Sequence, residues 1–486
     1  MFSRLKSLLL SHTTARQIVF KNTVWLFAGE FLGRLIRFFI VVYSARLLGA
    51  ADYGIFSYAL TIAAFVTIFS DIGISAIVTR ETSKSAELRQ KYFGAAFVLK
   101  MALIVLNIAV VLVAVPAISR VPGALPLLPL VVCIFLFDSI REFGFGMNRA
   151  LERMEREAFI KIVMNLAISA LGFVALWLAP TPYSLAISYA IGSGIGCLIT
   201  LWVLREYVAG ILREGVAWHL VWPIFKMAWP IGLLGLLGAI MINTDMVMLG
   251  WWETPEHLGY YAAAQKIILL LYIVPTLIGS AVFPVFSRLA QANRARFREV
   301  FEKSLAGVGL IAIPLVIGGL ILSRPLLHFV FGALYEPAAD TLAILFITIL
   351  LVYPSTLLSN ALFAHNQQKQ FMYFVAIGAL SNALCNYLLI PRFGIAGAAL
   401  ATVGSQLLTN ILVWRKMKQV QYFSMVPHLY PALFAGVVMG VAVYSLQTFT
   451  SVPLVAIIMI SIVIYVGVLL LLREKLLVET WRLVSK

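Results

Sequence analysis

The sequence predicts an all-α polytopic membrane protein of about fourteen transmembrane helices, built as two six-helix lobes in a pseudo-two-fold arrangement with two C-terminal helices added. Three observations predict it. Hydrophobic residues make up 62% of the 486 and charged residues only 12%, whereas a soluble domain is roughly half apolar and about a quarter charged. Apolar runs of about 20 residues, enough to span a bilayer as a helix, recur along the chain, without the ten-residue alternation of a membrane β-barrel. The basic residues fall on alternate sides once the runs are numbered.

The runs lie at about 22–47, 53–78, 93–115, 123–147, 157–179, 183–204, 224–250, 257–282, 304–323, 338–362, 370–390, 394–414, 428–448 and 452–472. With the N-terminus placed inside, 28 of the 37 Lys and Arg sort to the inner side. Four sort to the outer side: Arg46, Arg120, Arg324 and Arg392. Dropping one helix would invert every later loop, so the asymmetry supports the count and places both termini in the cytoplasm, with the protein in the inner (cytoplasmic) membrane. The net charge of +16 then belongs to inner loops facing membrane lipid, and no nucleic-acid partner is expected. Residues 1–22 hold too short an apolar core, Leu8 to Leu10, for a signal peptide and read as a basic amphipathic stretch on the inner surface. Cys133, Cys197 and Cys385 all fall inside apolar runs and build no disulfide framework. Outer loops are short, as in APTPYS at 179–184, which leaves no extramembrane domain.

Two stretches look alike: LLGAADYGIFSYALTI at 47–62 and LGWWETPEHLGYYAAAQKI at 249–267. Each passes from the outer end of an odd span through a polar turn into a small-aromatic start, anchored on Gly54 and Gly259. The offset is close to six spans, so the repeat is parallel. It predicts an N-terminal lobe at 1–215 (spans 1 to 6) and a C-terminal lobe at 216–420 (spans 7 to 12). Residues 421–486 then hold spans 13 and 14 and a cytoplasmic tail. Transporters with two such lobes place substrate between them and rock to alternate access. Spans 13 and 14 carry no charge between residues 429 and 472; they are either lipid-facing packing helices or a groove for a lipid tail.

Ionisable groups at the middle of a membrane helix cost about 2.5–3.5 kcal/mol each on insertion scales and mark cavities or ion networks. The stretch GEFLGRLIRF at 29–38 is the sharpest case. Glu30, Arg34 and Arg37 lie within about a 60° arc at 100° per residue, and Arg34 stands roughly 18 Å from the cytoplasmic end. Two readings stand. One makes Arg34, Arg37, Glu30 and Lys100 of span 3 a substrate-binding face lining a hydrated cavity. The other makes the span 1 charges a buried structural network with span 2 or 4. Asp71, Asp138, Arg141, Glu142, Asp245 and Lys266 are candidates for coupling or gating. Among them Asp138, Arg141 and Glu142 are spaced for mutual pairing, and Asp245 and Lys266 face each other across the outer turn of spans 7 and 8 as a gate or a structural latch.

Signatures of catalysis are missing. There is no GxxxxGK[ST] for a nucleotide and no HExxH, and the six histidines have no metal-ligand spacing. No catalytic residue, metal or cofactor is expected. Coupling to H⁺ or Na⁺ would draw on Glu30, Asp71, Asp138, Glu142 or Asp245.

Several motifs occur in an order that resembles one family. TDMVMLGWWETPEHLGYYAAAQKI (244–267) is similar to the span 7–8 signature of polysaccharide exporters. RALERMEREAFIKIV (149–163), FGALYEPAADTLAIL (331–345), SNALFAHNQQKQ (359–370) and LSNALCNYLLIPRFGIAGAALATVGSQ (380–406) fit its other segments. Together they extend over most of the chain. The sequence resembles the oligosaccharide flippases, Wzx-type, of the multidrug/oligosaccharidyl-lipid/polysaccharide (MOP) exporter superfamily. That resemblance implies a non-enzymatic transporter that moves a polyprenyl-pyrophosphate-linked oligosaccharide to the outer leaflet for cell-surface polysaccharide synthesis, with other polysaccharide-assembly proteins as partners. The alternatives are a cation-coupled drug or metabolite exporter of the same superfamily and, from another class, a membrane-embedded polysaccharide polymerase or ligase; short outer loops argue against the last.

Overall fold

The computed structural model describes residues 15–450 and 452–472, and every regular element among them is helical. Most of the expected N-terminal amphipathic stretch, and the tail beyond residue 472, lie outside the described residues.

Helix α1, Ala15–Asp71, runs 57 residues and breaks at Gly49, whose φ of 77° and ψ of 175° are non-helical. At 1.5 Å per residue such a helix would reach about 85 Å, far beyond a hydrocarbon layer of about 30 Å, so it crosses twice. A residue with a Cβ is strained at this φ, which glycine adopts freely. The same device recurs in α13, Gln368–Val420, which breaks at Gly394 with φ 57°. Twelve stretches among the described residues are long and apolar enough to cross a membrane. With α1 and α13 each counted as two passes, they make the fourteen expected spans of a multi-pass membrane protein.

The chain forms two compact units, divided between Gly259 and Tyr260. In the first, α1 is followed by α2 (Ile74–Lys84), α3 (Arg89–Ile118), a 3₁₀ turn (Pro122–Leu127), α4 (Leu128–Ala150), α5 (Met154–Leu178), α6 (Pro182–Val203), α7 (Arg205–Glu214) and α8 (Trp218–Trp252). The repeat places the lobe boundary at 215/216. The compact unit extends further because α8, the seventh span, packs on α2 and α3 through Ile224 and Ala228, in a cluster with Ile74, Phe93 and Phe143.

The second span was expected to continue to residue 78. It stops at Asp71 because Ile72 and Gly73 both take positive φ, 37° and 80°, and α2 then sets off in a new direction. The corner is packed backbone to backbone against α8. A Cβ on Gly73 would lie 2.4 Å from the Ala228 carbonyl oxygen, and one on Gly232 would lie 2.1 Å from the Ile72 carbonyl carbon. Ile72 is β-branched and strained in this region.

The second unit continues with α9 (Pro255–Leu271), α10 (Ile273–Ala292), α11 (Arg294–Phe331), a 3₁₀ turn (Ala333–Ala338), α12 (Ala339–Ala364), α13, α14 (Val426–Phe449) and α15 (Leu454–Leu471). The last two helices pack on α11: Leu322 joins Ala435, Met439, Val443, Ile457 and Tyr465 in one buried cluster. Their outer faces leave Val441, Tyr444 and Val463 exposed, as a lipid-facing surface requires.

Candidate functional site

The charges of span 1 meet α5. The two helices approach closely because glycine leaves room: a Cβ on Gly29 would lie 2.6 Å from Ala158 Cα, and one on Gly33 would lie 2.9 Å from Asn165 Nδ2. Small residues one turn apart permit this approach between membrane helices. Along the seam runs a ladder of polar contacts. Lys21 Nζ is 3.3 Å from Glu155. About two and a half turns higher along α1, Lys161 Nζ bonds Glu30 Oε2 at 3.1 Å while Arg34 Nε donates to Glu30 Oε1 at 2.6 Å. Higher still, Arg37 Nε donates to Asn165 Oδ1 at 2.7 Å, and its guanidinium lies over the Tyr189 ring at 5.5 Å. Ser169 Oγ closes the seam on the Ile36 carbonyl at 3.3 Å. From Lys21 to Arg37 the ladder rises about 24 Å.

The network extends toward the α4–α5 connection through Glu157, which is fully buried. It accepts a bidentate pair of bonds from Arg149, at 2.8 and 2.6 Å, and lies 3.0 Å from Lys161. A buried carboxylate requires this degree of pairing, because an unpaired charge in a low-dielectric interior is strongly disfavoured. The partner of span 1 is therefore the fifth span, not the second or the fourth as the network reading had it. Lys161, which the loop count assigns to the inner side, stands inside α5.

The remaining candidates separate into distinct clusters. Lys100 is 1% exposed and bonds Asp71 at 3.1 Å; Asp71 also accepts from Ser75 Oγ at 2.5 Å. Arg141 is buried in α4, pairs with Asp138 and with Glu142 at 3.1 Å, and points a nitrogen at Met164 Sδ. Arg141 and Lys161 both sit over the Phe145 ring, at 5.6 and 5.5 Å, which ties this cluster to the ladder. Asp245 is buried in α8, and Lys266 is half-buried in α9 of the second unit.

Exposure sorts these groups. Lys100 and Arg141 are enclosed, whereas Arg34 is 47% and Glu30 41% exposed. Only Nε of Arg34 is engaged by Glu30, so both terminal nitrogens of its guanidinium stand without a bond to the described residues. The site offers a forked cationic donor, fixed from behind by a carboxylate and a lysine, about halfway along a membrane helix. That arrangement suits an anionic group with several oxygens. Among the described residues no cluster of His, Cys, Asp and Glu is arranged to hold a metal ion.

Sequence comparison places the chain. The profile of the family described as "Polysaccharide biosynthesis protein" matches residues 19–290, more than half the length and all of the ladder. The chain belongs to the polysaccharide biosynthesis protein family. A second profile, MatE, matches residues 230–388 of this family member. The "Probable low-salt glycan biosynthesis flippase Agl15" of Haloferax volcanii is 24% identical over 401 residues, covering 81% of this chain and 82% of that protein. Among solved structures, the lipid II flippase MurJ in an inward closed conformation superposes with a TM-score of 0.76 at 18% identity, over 95% of this chain and all of the other. An inward-facing multidrug resistance MATE family transporter of the MOP superfamily gives a TM-score of 0.63 at 12% identity, over 86% and 98%. At these identities the structural likeness establishes the fold, which this chain shares with both of these solved transporters.

Proposed function

We propose that this member of the polysaccharide biosynthesis family is a flippase. It carries a polyprenyl-pyrophosphate-linked oligosaccharide from the inner to the outer leaflet of the cytoplasmic membrane by alternating access. The observation that carries the reading is the half-exposed guanidinium of Arg34, held by Glu30 and Lys161 at mid-membrane depth. The physical problem is to move a pyrophosphate and a polar glycan through about 30 Å of hydrocarbon while the polyprenyl tail stays in lipid. A cationic fork replaces part of the water that the pyrophosphate loses. Arg34 contacts the head group, Glu30 and Lys161 orient Arg34, and Arg37 braces α1 on Asn165. The pair Lys100–Asp71 ties α3 to α1, and Arg141, paired within α4 to Asp138 and Glu142, reaches α5 at Met164 Sδ. Asp245 and Lys266 remain candidates for gating. Any H⁺ or Na⁺ coupling uses an acid of this set, with Glu30 the one in direct contact with the cargo-binding guanidinium. Both termini face the cytoplasm, and the cargo is delivered to other polysaccharide-assembly proteins.

The MatE match and the MATE-like fold support a second reading, a cation-coupled exporter of small molecules. An exposed guanidinium repels a cationic drug and favours an anionic cargo, so the flippase reading is preferred. The test is reconstitution into vesicles with a fluorescent lipid-linked oligosaccharide and a leaflet-accessibility assay. Flipping above protein-free vesicles, lost on Arg34→Ala, supports the reading. No flipping of the lipid-linked glycan, together with cation-driven uptake of organic dyes, overturns it.

A further inference from the structure

We infer that a cavity at the inner corner of the first unit, between the α4–α5 connection and the α6–α7 junction, binds the phosphate of a membrane lipid. The cavity encloses about 730 Å³ and is lined by three guanidiniums, those of Arg153, Arg156 and Arg205. Two carboxylates, Glu155 and Glu206, share its wall. Glu155 is already engaged by Lys21 at 3.3 Å, a buried lysine outside the cavity, and lies 3.7 Å from Arg153. Neither Arg156 nor Arg205 forms an ion pair with the described residues. The cavity therefore carries positive charge that the protein leaves uncompensated.

The rest of its wall is amphiphilic. Phe159 and Trp202 are 59% and 65% exposed, and Ile199 and Val203 continue the apolar side along the last turns of α6. Arg205 lies over the Trp202 ring at 5.6 Å. These residues sit where two membrane helices end, the depth at which hydrocarbon gives way to head groups and tryptophan is enriched. A site for a soluble anion has no use for an exposed tryptophan and phenylalanine beside its cations. A lipid phosphate uses both, its oxygens on the guanidiniums and its first methylenes on the aromatic wall. The cavity shares only Glu155 with the ladder. The inference is independent of what the protein transports, and its test measures binding without transport.

The experiment uses the full-length protein. Retention of lipid is measured by native mass spectrometry after exchange into vesicles of phosphatidylcholine alone or phosphatidylcholine doped with phosphatidylglycerol. The wild type should retain phosphatidylglycerol over phosphatidylcholine. The double variant Arg156→Ala/Arg205→Ala should weaken that retention about tenfold or more, the loss of one charge-assisted bond or more. Glu206→Gln, which removes a competing carboxylate without removing a cation, should strengthen it and serves if the double variant misfolds. Displacement by a polyprenyl phosphate at low excess supports a lipid phosphate site and names the cargo's own carrier lipid as its occupant. Equal retention of the two phospholipids by the wild type, unchanged retention by both variants, or displacement by inorganic phosphate as readily as by lipid would overturn the inference.

Discussion

Replacing Arg34 with alanine separates cargo contact from scaffolding more cleanly than any other change on the ladder. The Arg34–Glu30 pair is 47% and 41% exposed, and pairs this open contribute about 0.2–1 kcal/mol. Glu30 keeps Lys161 at 3.1 Å, so the substitution leaves no carboxylate unpaired. Thermal unfolding should therefore shift by no more than the equivalent of about 1 kcal/mol. Cargo binding should change far more. Both terminal nitrogens of Arg34 are available to a phosphate, and one charge-assisted hydrogen bond is worth about 1.5–3 kcal/mol, or roughly tenfold to a hundredfold in affinity. Arg34→Lys keeps the charge without the fork and should fall between. Arg37→Ala is the contrast. It strips Asn165 Oδ1 of its donor at 2.7 Å and Tyr189 of its cation; an unsatisfied buried acceptor costs about 1–3 kcal/mol, so this variant should unfold earlier. The paired measurements are unfolding of the purified proteins and flipping of a fluorescent lipid-linked oligosaccharide in vesicles. If Arg34→Ala flips at the wild-type rate, the head-group role is wrong and the ladder is scaffolding. If it unfolds as early as Arg37→Ala, the exposure argument is wrong.

Glu157→Ala should destabilise by about 3–5 kcal/mol, because it leaves Arg149 and Lys161 without the buried carboxylate that joins them; Glu157→Ala with an unfolding temperature equal to wild type would refute the network. Gly29→Ala and Gly49→Ala should both destabilise, for different reasons: a Cβ at Gly29 meets Ala158 Cα at 2.6 Å and forces α1 and α5 apart, costing about 1–3 kcal/mol, while Gly49 has nothing within 4 Å and meets only backbone strain of about 1–3 kcal/mol, since φ 77° with ψ 175° is a conformation essentially reserved for glycine. Only Gly29→Ala should also impair flipping of the lipid-linked oligosaccharide. Reporter fusions at Ser184, His257 and Ser451 should read the outer side and those at Lys84 and Arg296 the inner side; one reversed site would break the fourteen-span map.

The crossings were legible in the sequence because a run of about 20 apolar residues is itself the length that a helix needs to cross the hydrocarbon layer. The breaks of α1 at Gly49 and of α13 at Gly394 fall at the gaps drawn between runs, after residues 47 and 390. The corner at Ile72 and Gly73 was not legible. The second span was drawn past Asp71 because an isoleucine at φ 37° has no sequence signature. Half of the ladder was legible. Glu30 and Arg34 stand one turn apart on their own helix, so their pairing follows from spacing. Their partners on α5 were missed because Lys161 follows the dense charge run of the inner loop and was read as part of it. A signal was present. Glu157, Lys161, Asn165 and Ser169 recur every four residues along α5, and Gly29, Gly33 and Arg37 do so along α1. Two matched rows of this period pack as ridge against groove, and a polar row inside an apolar helix requires a polar row opposite.

The two units meet the demand for buried polar contacts with different chemistry. In the second, Tyr272 bonds Thr348 at 2.6 Å, Tyr353 donates to the Leu271 carbonyl at 3.0 Å, and Asn382 donates to Ser405 at 3.4 Å across the Gly394 break. These neutral bonds tie its helices together at small desolvation cost. In the first, the same task falls to Lys161, Glu157, Arg149, Lys100, Asp71 and Arg141, whose burial is far more costly and whose pairing only offsets that cost. Stability alone would favour the neutral solution, which the fold plainly accommodates. The charged set is retained where one of its members, Arg34, leaves two donors unpaired and half-exposed. The enclosed pairs around it then act as a rigid frame that holds this guanidinium at a fixed depth, where a flexible side chain on a neutral helix would withdraw to the head groups.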